Sequence, residues 1–113
     1  MAETQPTVSA TAGPTPIVKV SGEFEMAATF NVEPALDLVL DAPKLELVTL
    51  DLSAVTFIDS VGLSVVIRFA GELEARGIPL RIVPGPPEVQ RVFEVVGIAD
   101  VLPFERAHSD RRQ

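Results

Sequence analysis

The sequence predicts an α/β domain built on a small, mostly parallel sheet. Strand-like and helix-like patterns alternate three times along the chain, which is typical of strand–helix–strand units with right-handed crossovers. The chain has 113 residues, and 47% of them are hydrophobic, so it can form one domain with a buried core. No internal repeat interrupts this alternation.

The N-terminal part of the chain is predicted to be an arm followed by a strand. Residues 1–16 are rich in Thr, Ala and Pro and are expected to be flexible, because they bury too little surface to offset the entropy lost on ordering. Within this arm, Thr7–Ala12 alternates weakly, as a short edge strand would. The domain itself is expected over residues 17–104. Its first strand, Ile17–Val20, is predicted to stop at Ser21-Gly22.

A helix and a central strand are predicted next. The helix is expected to begin near Thr29 or Asn31, because Pro34 is best accommodated in a first turn. It should end before Pro43. Leu45–Leu52 is a nearly continuous apolar run, which favours a parallel strand buried on both faces.

The second half of the chain is predicted to open with a loop at Ser53–Ser60 that carries Phe57 and Ile58 inward. The remaining elements are a helix at Val61–Arg76, a strand at Leu80–Val83, a helix at Glu88–Val96 and a short strand within Ile98–Phe104. Residues 105–113 are expected to form a polar, frayed tail.

The composition argues against an enzyme. No cysteine is present, which excludes a disulfide, a thiolate zinc site and a thiol nucleophile. The single histidine, His108, cannot build a multi-histidine metal cage, and a Ser-His-Asp hydrolase would have to recruit it from the predicted tail. The glycine-rich phosphate loops and the G-x-S-x-G elbow are missing as well. No catalytic residue, metal or cofactor is therefore predicted.

The charge is concentrated in one half of the sequence. The net charge is −7, with nine acidic and two basic residues up to Asp59 and seven of each from Ser60 onward. A nucleic-acid or anionic membrane surface would require a basic face, so neither partner is expected. The sequence shows no apolar stretch long enough for membrane insertion and no secretory signal, which predicts a cytoplasmic protein.

The segment around Asp59-Ser60 is the main candidate for a function. It is predicted to lie at a helix N-terminus, where both residue types are good caps, and a purely capping role is the simpler interpretation. Gly62 falls in the first turn at a cost of roughly 1 kcal/mol relative to Ala, which is tolerated where another group must approach closely. A phosphate on Ser60 would lie at the carboxyl edge of the sheet, beside free N–H groups.

Four stretches of this sequence resemble the STAS domain family, with the closest likeness to bacterial anti-sigma factor antagonists. They are Gly22-Glu23-Phe24-Glu25, Asp51-Leu52-Ser53, Phe57-Ile58-Asp59-Ser60 and Gly62-Leu63. The likeness covers Ile17 to Phe104. It implies a small, mostly parallel or mixed sheet of four to five strands packed with three to four helices.

The resemblance also implies a mechanism. An unphosphorylated antagonist binds an anti-sigma factor, commonly a serine kinase of the histidine-kinase-like ATPase fold, and so releases the sigma factor. The kinase would phosphorylate Ser60, and a PP2C-type phosphatase would restore the antagonist. The partner-binding residues implied by the resemblance are Glu23, Glu25, Asp59, Ser60, Val61, Gly62 and Ser64.

Three departures from the family pattern bear on the partner. Val61 stands where Ser is frequent, Ser64 where Gly is frequent, and Glu25 where Asp is frequent. Ser64 is either a second phosphate acceptor or, as is more common, an ordinary exposed helix serine. The alternative function is a STAS accessory subunit of a membrane transporter, for example in lipid ABC transport, whose Ser60 region contacts an ATPase subunit without being phosphorylated.

Overall fold

The computed structural model describes residues 8–105, which form a four-stranded mixed sheet and three helices. The elements in chain order are β1 (Val8–Ala10), β2 (Ile17–Phe24), α1 (Met26–Asp41), β3 (Val48–Ile58), α2 (Ser60–Ala75), β4 (Leu80–Val83) and α3 (Pro87–Val96). The strand order is β1-β2-β3-β4, with β1 antiparallel to β2 and the other neighbours parallel. The predicted α/β class with a mostly parallel sheet is confirmed.

Parts of the two predicted terminal segments lie outside this description. Residues 1–7 of the predicted arm and residues 106–113 of the predicted tail, which include His108, are not among the described residues. Within the described part of the arm, β1 pairs with β2 at the sheet edge.

Helices α1 and α2 pack side by side on one face of the sheet. Helix α1 contacts β1 and β2, while α2 contacts β3 and β4. The two helices are joined by an ion pair between Arg68 and Glu33 and by a hydrogen bond from Arg76 Nη1 to the Leu40 carbonyl at 2.6 Å. Right-handed crossovers between successive parallel strands bring both helices to the same face.

Strand β3 therefore buries one face, and the prediction of burial on both faces is wrong. Val48, Leu50 and Leu52 are buried, whereas Thr49 and Asp51 between them are only partly covered. The apolar run in the sequence hides this alternation because only two of its central side chains, those of Thr49 and Asp51, are polar.

Strands β2 and β3 are both longer than predicted. Strand β2 passes through Gly22, which has φ 81° beside a register shift, and reaches Phe24. Strand β3 replaces the predicted loop and continues to Ile58, the register partner of Phe24. Turn-type residues suggest strand ends in the sequence, but here they lie in irregularities that let the pairing continue.

Helix α1 begins earlier than the predicted Thr29 or Asn31. The Glu25 side chain caps it, with Oε1 accepting from Ala27 N at 2.7 Å. Pro34 therefore lies in the helix interior and not in the first turn, so this prediction is wrong. The early turns form because Ala28, Thr29 and Val32 are buried there, which compensates for the missing amide.

The C-terminal elements agree closely with the predicted bounds, apart from the last strand. The segment Ile98–Phe104, which was expected to end in a short strand, pairs with the sheet only at Phe104, through an isolated parallel bridge to Ile82. The Phe104 ring packs edge-to-face on Phe93 with centroids 5.0 Å apart. Ring packing and one bridge hold this segment in place of a paired strand.

Candidate functional site

Ser60 is the first residue of α2 and is exposed. It follows β3 directly, with only Asp59 between the strand and the helix. Since Ile58 and Phe24 are register partners, the N-termini of α1 and α2 lie at the same edge of the sheet. The predicted position of Ser60, at a helix N-terminus beyond the carboxyl end of a strand, is the one observed.

Asp59 holds the start of α2 in place. Its Oδ1 accepts a hydrogen bond from Gly62 N at 2.9 Å, and its carbonyl accepts one from Leu63 N at 2.9 Å. Its own amide donates to the Phe24 carbonyl at 3.3 Å. Asp59 thus acts as the helix cap and also links α2 to the end of β2.

Gly62 allows a close approach between these two segments. A Cβ atom on this residue would lie 2.3 Å from the Phe24 carbonyl oxygen and 3.0 Å from Ile58 Cγ1. The presence of Gly62 in the first turn of α2 indicated that another group approaches this residue closely. That group is the backbone carbonyl of Phe24 in the same chain. Gly62 is buried, so it shapes the surface around Ser60 from below.

The two predicted acidic residues of the β2–α1 segment differ in environment. Glu23 is exposed, whereas Glu25 is partly covered and its carboxylate is engaged in capping α1. Both line a shallow cleft of about 340 Å³ together with Ser21, Gly22, Ala27, Ala28 and Asn31. Glu23 is consequently the more accessible of the two carboxylates.

Ser64 lies one turn beyond Ser60 on α2 and is also exposed. Its hydroxyl donates to the Val61 carbonyl at 2.7 Å, the usual bond of a serine inside a helix. Val61 itself is partly covered. Among the predicted residues, the structure therefore brings Ser60, Ser64 and Glu23 to the surface and places Gly62 beneath it.

Sequence reasoning missed the apolar part of this surface. Phe57, predicted to point inward, is 51% exposed, while Ile58 is buried. Phe57 is the register partner of Glu23, and Met26 at the start of α1 is also exposed. The alternation of side chains along a strand could have indicated the exposure of Phe57. Adjacent residues of a strand point to opposite faces, so only one of Phe57 and Ile58 can be buried where one face of β3 is covered.

The arrangement offers an accessible hydroxyl at the first residue of α2, beside backbone N–H groups of the first helical turn. Across residues 8–105 no group of three or more metal-ligating side chains comes together. No helix in the described part of the chain has the length and apolar character needed to cross a membrane. An exposed hydroxyl at a helix N-terminus is compatible in geometry with a covalently attached phosphate.

Solved structures with this fold include an anti-sigma factor antagonist and a cell fate determinant. An anti-sigma factor antagonist from Mycobacterium paratuberculosis is 24% identical, with a TM-score of 0.74 over 92% of this chain and 88% of that chain. The Bacillus cell fate determinant SpoIIAA in its phosphorylated form is 17% identical, with a TM-score of 0.68 over 91% of this chain and 93% of that chain. At such identities the likeness shows a shared fold.

A transporter-related protein shares the fold as well. A sulfate transporter family protein from Wolinella succinogenes is 19% identical, with a TM-score of 0.67 over 80% of this chain and 75% of that chain. No curated protein sequence matches the chain. The STAS domain family matches residues 3–110, nearly the whole sequence. The chain therefore belongs to the STAS domain family.

Proposed function

We propose that this protein is an anti-sigma factor antagonist that is switched by phosphorylation of Ser60. In its unphosphorylated form it binds an anti-sigma factor with a serine-kinase fold and so releases the sigma factor. The kinase then modifies Ser60 and ends the interaction, and a PP2C-type phosphatase reverses the modification. The observation that carries the proposal is the exposed Ser60 hydroxyl at the first residue of a capped helix.

The position of Ser60 lets the fold carry a phosphate without unfolding. A phosphate there lies at the positive end of the α2 dipole, where helix N–H groups are available. SpoIIAA has been solved in unphosphorylated and phosphorylated forms, and both share this fold, with TM-scores of 0.67 and 0.68. The added charge of about −1.5 to −2 would act on the docked partner, because the partner would have to desolvate it.

The proposed partner-binding surface surrounds Ser60. Glu23 and Ser64 are its accessible polar groups, and Val61 adds a partly covered apolar one. Glu25, Asp59 and Gly62 support it, since the first two cap the helices and the third permits their close approach.

The test is a kinase and binding assay with the full chain. Incubation with ATP and candidate anti-sigma kinases should add one phosphate mass to the Ser60 peptide, and Ser60→Ala should abolish the addition. Ser53→Ala changes another exposed serine, on β3 outside the proposed surface, so it is the matched control and should be phosphorylated normally. In binding, Ser60→Ala should match the unphosphorylated protein, while Ser60→Asp should bind at least about tenfold more weakly.

The transporter alternative predicts different results. The similarity in fold to the Wolinella sulfate transporter family protein supports considering it. A STAS accessory subunit would take up no phosphate from any anti-sigma kinase and would associate with the ATPase subunit of a transporter. Absence of phosphorylation, together with equal partner binding by Ser60→Asp and wild type, would contradict the proposed switch.

A further inference from the structure

Strand β1 leaves one edge of the sheet open within the described part of the chain. Thr11 N donates to the Ile17 carbonyl at 3.0 Å, so Thr11 faces β2, and so does Ser9 two residues earlier. Val8 and Ala10 therefore direct their N–H and C=O groups away from β2. Such an edge is a template for pairing with another strand.

Two devices that commonly block such pairing, charged side chains and proline, are missing from this three-residue strand. No charged residue and no proline lies within Val8–Ala12, although these are the common devices that block an edge. An uncharged groove of about 290 Å³ runs beside the edge. Its lining includes Ala10 of β1 and Ala35, Leu38 and Ala42 at and just beyond the end of α1.

Helix α1 presents different chemistry on its two sides. Leu38 is 73% exposed and lies on the side toward the β1 edge. The opposite groove, between α1 and α2, carries charges of both signs, because Glu33, Asp37, Asp41 and Glu72 line it together with Arg68 and Arg76. A partner recognised by its charges would use that groove. The uncharged side is where another copy of a chain with net charge −7 can approach without opposing like charges.

We propose that a second copy of this chain binds at the β1 edge. Two β1 strands would pair antiparallel about a two-fold axis at Ser9, which places Val8 opposite Ala10 of the other copy. Both residues direct their backbone groups outward, so each such pair exchanges two hydrogen bonds. The pairing is isologous and closes as a dimer with one continuous eight-stranded sheet.

The helices support the same arrangement. Because α1 packs on both β1 and β2, and strands are spaced about 4.8 Å apart, the two α1 helices would lie roughly 10 Å apart across the axis. This is close to the ordinary distance between packed helices. The dimer would cover Leu38 of both copies. The small side chains of Ala35 and Ala42 allow the close approach.

The test measures the mass of the full chain in solution. Sedimentation equilibrium from micromolar concentration to about 1 mM should show the mass rising from 12.1 kDa toward twice that value. Added salt should favour the dimer by screening the negative charge. Leu38→Lys should weaken association at least about tenfold. Val95→Lys adds the same charge at an equally exposed apolar site on α3 and should leave association unchanged.

Amide exchange identifies the strand that pairs. Exchange at Val8 and Ala10 should slow as the protein concentration rises, whereas exchange at Ser9, already bonded to β2, should not change. A chain that stays monomeric at 1 mM in high salt would overturn the proposal. The proposal would also be overturned if Leu38→Lys and Val95→Lys associated equally strongly. It would be overturned as well if amide exchange at Val8 and Ala10 did not depend on protein concentration.

Discussion

At the scale of single residues, Gly62 determines the geometry beneath Ser60. The Phe24 carbonyl occupies the space that a Cβ on Gly62 would fill, and the same carbonyl accepts the Asp59 amide. One oxygen atom thus ties the end of β2 to the cap of α2. This contact fixes the backbone on both sides of Ser60, because Asp59 precedes Ser60 and Gly62 lies two residues after it.

Replacing Gly62 tests this contact. Gly62→Ala should lower the free energy of unfolding by about 1–3 kcal/mol, because the new methyl group must displace a backbone carbonyl. Urea denaturation followed by circular dichroism measures the change.

A second glycine in the same helix is the control for this prediction. An added Cβ at Gly71 meets nothing, so Gly71→Ala should raise the free energy of unfolding by about 0.5–1 kcal/mol. Equal effects of the two substitutions would mean that the approach of Phe24 does not constrain α2.

At the scale of elements, α1 shows tertiary packing overriding a local signal. Pro34 lies in the ninth position of a 16-residue helix and leaves the Phe30 carbonyl without its usual donor. The Glu25 cap and the buried residues of the early turns stabilise the helix through this defect. The defect faces solvent, since Pro34 is exposed.

Removing the proline should stabilise the protein. Pro34→Ala restores a donor to the Phe30 carbonyl and should raise the free energy of unfolding by roughly 1–3 kcal/mol, less than the full intrinsic penalty because the unfolded chain gains entropy. Thermal unfolding measures the shift. Pro87→Ala is the control, because Pro87 occupies the first position of α3, where proline is well tolerated. If Pro34→Ala lowered the free energy of unfolding, the contacts of the proline ring would contribute more to stability than the restored hydrogen bond.

At the scale of the whole molecule, the two proposed surfaces lie at different places on the sheet. Ser60 follows β3 at the carboxyl edge, whereas the proposed dimer forms along β1, with β2 lying between. Dimerisation would therefore leave both Ser60 hydroxyls accessible, and one dimer would present two sites.

This separation can be tested with the variants already described. Leu38→Lys, in which we expect weaker dimerisation, should be phosphorylated at the same rate as wild type, because Leu38 lies on α1 beside the β1 edge. Time courses of phosphate incorporation at concentrations above and below dimer formation provide the measurement. A rate that follows the dimer fraction would show that the two surfaces are coupled.

The sequence alone determined the class of fold, the bounds of α2, β4 and α3 to within one residue, and the position of Ser60 at a helix N-terminus. These features depend on local signals, namely hydrophobic periodicity, capping residues and glycine or proline at helix ends. The unusual Gly62 in a first turn also indicated that some group approaches closely.

Only the tertiary structure decided which group approaches Gly62, where β3 ends, where α1 begins and that Phe57 is exposed. Each of these depends on residues distant in sequence. Gly62 meets Phe24, β3 continues because register shifts keep it paired with β2, and the first turns of α1 form because they pack on the sheet. A local pattern reports the period of one segment, whereas pairing and burial depend on which other segment lies beside it.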